Sequence, residues 1–463
     1  MQISFFSFVY IAVMFVLIGV AKEFLRIPIM FAGSIIYIYH LSPDAAVILL
    51  TVTICVYFAG LIAGFCKEKG YQKLCGAVCV IGSLASACSL LFFKYIPGLL
   101  VPIGFSFYIF SSISYLIDIR RGDVKVEKNI FKFALFMTWC PKFISGPIER
   151  GSSFFPQLDR LKEVRLFDID VLVEALVYIS WGAFLKVAIA DNLAAYTDFV
   201  FEHHDACGSV WMAVASLFYT LQIYADFAGY SYAAFGISLL FGLRLTENFR
   251  NPYLAANISD FWRRWHVSLS NFFRDYVYIP LGGSRKGQLR KILNLIIVFM
   301  LSGIWHGVGT GFLIWGGLHA LYNVIYVLTH RYTDRYPVSR VLVRILTFIG
   351  VSFAWIFFRI GDAGLAFTYI KDMVSITPVF SIFFMVLEGM GISTREFKLL
   401  MAWIIIMILL ELIANRHKKS VPDMVLSLNF TLREAFCLFF VVITLIFGNY
   451  GPDIDSNLIY MQF

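Results

Sequence analysis

Glu247–His319 reads ENFRNPYLAANISDFWRRWHVSLSNFFRDYVYIPLGGSRKG over residues 247–287, then an apolar run, then SGIWHGVGTGFLIWGGLH over residues 302–319. A segment dense in Arg, Trp and His thus adjoins a run of membrane-grade hydrophobicity with a histidine near its far end. Ionisable side chains within a bilayer are costly, and they mark function by default. This stretch separates an enzyme from a generic membrane protein.

The rest of the 463-residue chain sets the class: 60% of residues are hydrophobic and only 15% charged, with mean hydropathy +0.78. A soluble domain carries about 25% charged residues, so the chain belongs with membrane proteins. Apolar runs recur throughout, among them Phe5–Val20, Ala45–Phe65, Cys75–Phe93, Val210–Leu243, Ile292–Val308, Phe312–Leu328, Val341–Phe358, Leu399–Leu412 and Ala435–Phe447. At ~20 residues per span they predict an all-α, polytopic bundle of about 11–13 membrane helices, some short, re-entrant or interfacial. Val374–Met390 reads either as a span or as an interfacial segment. The first run lacks a basic n-region and a small-residue cleavage site, so it is expected to stay as a helix.

The net charge of +8 fits topology, since Lys- and Arg-rich loops remain cytoplasmic. Nucleic acid is not an expected partner, because the basic residues are spread over many loops rather than one face. The eight cysteines lie mostly in or beside apolar runs, with no C-x-x-C pair and no zinc-like set, so no metal is expected. One membrane domain spanning 1–463 is expected, with 454–463 as a tail.

Within Asn257–Tyr278 helical spacing sorts the side chains. Trp262, Trp265, Leu269, Phe272 and Tyr276 form one stripe, and Asp260, Arg263, Asn271 and Arg274 another. Such a pattern suits a helix at the membrane interface, with Asp260 placed to cap it and His266 close to both stripes. As an isolated pattern it fits an amphipathic anchor equally well. Pro280 and Gly282-Gly283 then end the helix in a turn. Ser284, Arg285 and Lys286 follow, either as a positive-inside turn or as a contact for the phosphates of a donor.

His306 stands fourteen residues beyond Ile292, about 21 Å along a helix rising from that basic turn. Ser302, Gly303, Gly307 and Gly309 leave room around it for a substrate or a close helix contact. Imidazole is the side chain suited to take a proton near neutrality. His319, in the following run, reads as a supporting residue. Asp226, in LQIYADFAGYS, should pair with a neighbouring helix or line a cavity, and Lys142, Glu149 and Arg150 flank or end a break at Gly146-Pro147.

The chain closes on Leu458-Ile-Tyr-Met-Gln-Phe463, an apolar tail with one hydroxyl at Tyr460. The tail either tucks against the bundle or presents that hydroxyl to the reaction. A phenol with pKa ~10 forms a more activated ester than an alkanol, so Tyr460 suits an acyl relay.

Together VPIGFSFYIFSSISYLIDIRRG (Val101–Gly122), FISGPIER (Phe143–Arg150), DFAGYS (Asp226–Ser231), ENFRNPY (Glu247–Tyr253), FWRRWHVSLSNFFRDYVYIPLGGSRKG (Phe261–Gly287) and GIWHG (Gly303–Gly307) resemble the membrane-bound O-acyltransferase family. The specific likeness is to its bacterial alginate-acetylation branch. The teichoic-acid D-alanylation branch shares the WHxSL and WHG elements. The resemblance implies that His306 is the catalytic histidine and His266 the second family histidine, both facing a central tunnel through a thinned membrane. It also implies a cytoplasmic thioester donor, acetyl-CoA, with no tightly bound cofactor.

Arg263, Arg264, Arg285 and Lys286 are the donor-binding candidates; Asp226, Asn248, Asp275 and His319 are the supporting ones. LIYMQF is similar to endings in which a Tyr accepts the acyl group before an extracytoplasmic SGNH-type transferase takes it to a polysaccharide. Leu458 stands there in place of the usual aromatic residue. The expected site of action is the cytoplasmic membrane. The competing expectations are D-alanyl transfer from a phosphopantetheinyl carrier and a transporter or flippase with His306 and Asp226 as a proton relay. A transporter would be expected to show internal repeats, and none is evident.

Overall fold

The computed structural model describes residues 5–96, 98–99, 101–333, 336–375 and 393–449. Among these no strand is present, and ten helices are long and apolar enough to cross a membrane, with Val9–Val20 a shorter apolar helix beside them. Two spans join those marked by the apolar runs above, Glu23–Leu41 and Ile169–Glu202. Most of Val374–Met390 lies outside the described residues, as does the tail at 454–463. The fold is a polytopic helical bundle. It divides into two compact units.

The first unit takes in the chain up to Ile179 together with Ser231–Asn248. Small residues set its packing distances: Gly60 faces the Tyr115 ring, Gly82 faces Leu116 and Gly64 faces Val126. Helices Pro43–Glu68 and Gln72–Tyr95 thereby close onto Phe105–Arg121 and the strandless segment behind it. In the break around Gly146-Pro147, Glu149 is buried and accepts the Thr246 N–H at 2.5 Å and the Ser153 hydroxyl at 3.3 Å. The buried Lys142 ammonium lies 4.7 Å from the Phe136 ring and 5.5 Å from Phe154. Burial pushes its pKa down to about 8 and pushes the Glu149 carboxyl up.

The second unit holds Ser180–Tyr230 and the described chain from Phe249 onward. Helices Gln288–His306 and Thr310–Thr333 form its tightest pair. A methyl built on Gly303 would sit 2.5 Å from the Phe312 carbonyl oxygen, and one on Gly316 would sit 2.5 Å from that of Phe299. Any side chain there would drive the two backbones apart, the usual role of small residues between membrane helices. The turn between these helices is pinned from outside, because Gly311 N–H donates to the Gly361 carbonyl at 2.7 Å. Gly361, at φ 73, ends the Pro337–Ile360 helix in the left-handed region, where a side chain would strain the backbone.

Candidate functional site

The segment Asn257–Tyr278 is not the single interfacial helix that its spacing suggests. It forms Ile258–Arg264 and Val267–Phe273, separated by an extended Trp265 and by His266 at φ 43. A residue with a side chain seldom takes this left-handed conformation, and strain of this kind gathers at functional sites. The break turns the aromatic stripe inward: Trp265, Leu269 and Phe272 are buried, among Tyr253, Phe261 and Trp355 in the case of Trp265. Asn257, not Asp260, caps the first helix, accepting the Asp260 N–H at 2.9 Å. The Asp260 carboxylate takes the Ala256 N–H and the Arg264 guanidinium instead. Beyond Phe273 the helix loosens into a π turn over Arg274–Tyr278, a form frequent at functional sites.

His266 is buried, with its ring edge-on to Phe227 at 4.7 Å, and burial lowers its pKa to about 3. Its imidazole is therefore neutral at any physiological pH. His306 closes the Gln288–His306 helix and is 3% exposed. Its ring meets Trp305 at 4.5 Å, Trp315 at 4.8 Å and Phe358 at 5.0 Å. Trp305 is a neighbour common to the two histidines, since its ring also lies 6.5 Å from that of His266.

Beside this cluster opens a cavity of about 550 Å³. Its lining includes the cations Arg263, Arg274 and Lys291, the apolar Leu295 and Val298, and the buried Ser302 and Asn323. Lys291 and Ser302 lie on one helix, so the cavity runs about 16 Å along it. The lining reaches Ser302, one turn before His306. Arg274 is held by Asp275 at 2.7 Å. Arg263 and Lys291 form no ion pair among the described residues. The lining thus joins these two cations to an apolar wall and to the Ser302 hydroxyl, one turn before His306.

Arg264 turns away from the cavity to Asp260 at 3.0 Å and the Asn415 amide oxygen at 2.6 Å. Arg285 and Lys286 are exposed, and of that turn only Ser284 joins the lining. Asp226 does pair with another helix: Lys186 Nζ lies 2.6 Å from it and 2.8 Å from Asp191. Asn248 is buried in the first unit. His319 accepts the Trp262 indole N–H at 3.3 Å on Nδ1. Tyr460 lies outside the described residues. Among those described, no His, Cys, Asp and Glu group is arranged to hold a metal ion.

Lys291, Trp315 and Asn323 escaped the sequence reading. Trp315, His319 and Asn323 stand four residues apart on one helix face, a spacing that would have grouped them.

Residues 124–360 match the model of the membrane-bound O-acyltransferase family. A protein of Pseudomonas syringae pv. tomato named "Probable alginate O-acetylase AlgI" is 33% identical over 378 residues, 76% of this chain and 71% of that protein. The peptidoglycan O-acetyltransferase of Helicobacter pylori is 32% identical over 366 residues, covering 70% of this chain and 69% of its own. The teichoic acid D-alanyltransferase of Bacillus subtilis is 27% identical over 355 residues, covering 70% and 87%.

Proposed function

The chain belongs to the membrane-bound O-acyltransferase family, and from that premise we propose that this multi-pass O-acyltransferase moves acetyl groups across the cytoplasmic membrane from acetyl-CoA toward a cell-envelope or secreted polysaccharide. The observation that carries the reading is the helix Gln288–His306. From Lys291 to Ser302 it lines a chamber that also takes in Arg263, and its last residue is a buried imidazole. The donor's phosphates would lie by Arg263 and Lys291, with its thioester carbonyl near His306.

His306 removes the proton from the acceptor hydroxyl as that oxygen attacks the carbonyl carbon, and returns it to the leaving sulfur. Neutral His266 orients the donor side. Tyr460 is the proposed acceptor, and an SGNH-type transferase outside the membrane then takes the acetyl group to the polymer. Support for the acetyl donor and polymer comes from the names of the alginate and peptidoglycan relatives.

Membranes supplied with radiolabelled acetyl-CoA should carry label on Tyr460, released by mild base. With Tyr460→Phe the label and at least ~90% of polymer acetylation should disappear, because the change removes one hydroxyl and little volume. Full polymer acetylation in that variant would refute the relay while leaving the role of His306 open. The likeness to a D-alanyltransferase supports a second reading, in which a carrier protein's phosphopantetheine arm presents D-alanine. Label from D-alanyl carrier, and none from acetyl-CoA, would select it. Neutralising both free cations, Arg263→Gln with Lys291→Gln, should raise the KM for acetyl-CoA about tenfold and flatten its dependence on salt. An unchanged KM would place the phosphates elsewhere.

A further inference from the structure

The geometry points to Trp315 and His319 as a pair of N–H donors that hold the thioester carbonyl oxygen as it becomes an oxyanion. This inference rests on His306 acting at that carbonyl. Both residues are fully buried on Thr310–Thr333, one turn apart, with ring centroids 4.9 Å from each other. The Trp315 ring stands almost perpendicular to that of His306, at 84° and 4.8 Å.

Their protons can be assigned. Indole nitrogen only donates, so the Trp262 contact at 3.3 Å makes His319 Nδ1 the acceptor. The ring is then neutral and carries its proton on Nε2. That Nε2–H and the Trp315 Nε1–H have no hydrogen-bond partner among the described residues. Buried donors are nearly always paired, and leaving one unpaired is costly. Trp355 and Trp403 also carry indole nitrogens without a partner. What singles out Trp315 and His319 is that they occupy successive turns of one helix and that Trp315 touches His306. Trp262, which holds His319, itself lines the donor chamber.

In the step so assisted, the acceptor oxygen bonds to the carbonyl carbon while its proton passes to His306. The C=O pair moves onto oxygen, where the two N–H groups meet it. Collapse restores C=O and breaks C–S; the sulfur takes the electron pair and the proton from His306, leaving an ester and a thiol. Such donors act mainly in the transition state.

Benzothienylalanine in place of Trp315 swaps the N–H for sulfur at nearly constant shape, so it should fold. It is expected to lower kcat for acetyl transfer about 100-fold, with the KM for acetyl-CoA changed by less than about threefold. His319→Leu should do the same, while His319→Gln, which keeps a donor, should recover at least about a tenth of the wild-type kcat. A benzothienylalanine enzyme with wild-type kcat overturns the proposal, as it would if the N–H merely held an ordered water. A loss that appears equally as raised KM also overturns it. His306→Ala in the same membranes separates the two claims. If that variant still transfers acetyl, the reading beneath the inference fails. If it is inactive while the benzothienylalanine enzyme works, only the inference does.

Discussion

His306→Ala should lower acetyl transfer by about 10³–10⁴-fold, the upper range for loss of a positioned general base. The fold should tolerate it. Contact between the two helices that frame the site is made by Gly303 against the Phe312 carbonyl and Gly316 against that of Phe299, and the turn is held by Gly311 on Gly361. None of these contacts involves the imidazole. His306→Gln sharpens the test, because an amide keeps polarity and much of the volume yet cannot take up a proton. Both variants should be inactive, membrane-inserted and monodisperse in detergent. Transfer above about a tenth of wild type in His306→Gln would show that the proton goes to another group.

His306 was legible because a histidine within an apolar run is costly and therefore informative. Asp226 was legible for the same reason, including its need for a partner on another helix. Lys186 is costly in the same way, a cation within the apolar span Ile169–Glu202 that needs its carboxylate partners. Arg264 was misleading. Its neighbours in sequence suggest a donor contact, but its guanidinium is taken by Asp260, one turn back, and by Asn415, 151 residues away; the first pairing is local, while no local pattern encodes the second. The break at His266 was hidden for a different reason. The aromatic spacing of one helix continues across it, and only the left-handed φ of 43 separates two helices and turns the stripe inward. Periodicity records which side chains are apolar, not whether the backbone between them stays helical.

Lys186→Met should be the most damaging change outside the histidine cluster. The Phe184–Ala190 segment is a π turn, which carries Lys186 to 2.8 Å from Asp191 and 2.6 Å from Asp226 with all three side chains at most 9% exposed. Methionine matches the length of the stem but leaves two carboxylates facing each other without a cation. Breaking a buried pair in this way costs about 3–5 kcal/mol, a large share of the 5–15 kcal/mol that holds most domains together. Folded protein in membranes should therefore fall at least about tenfold.

Neutralising the carboxylates as well, in Lys186→Met with Asp191→Asn and Asp226→Asn, should restore most of it, since removing a whole buried ion cluster is far milder than orphaning part of it. Wild-type accumulation of Lys186→Met alone would contradict the argument. The triple variant also reaches the chemistry: Phe227, next to Asp226, packs its ring against His266 at 4.7 Å. A triple variant that accumulates but transfers slowly, at unchanged KM for the donor, would mean that the ion cluster fixes His266 through Phe227. One that accumulates with wild-type kcat would confine Lys186 to holding its two helices together.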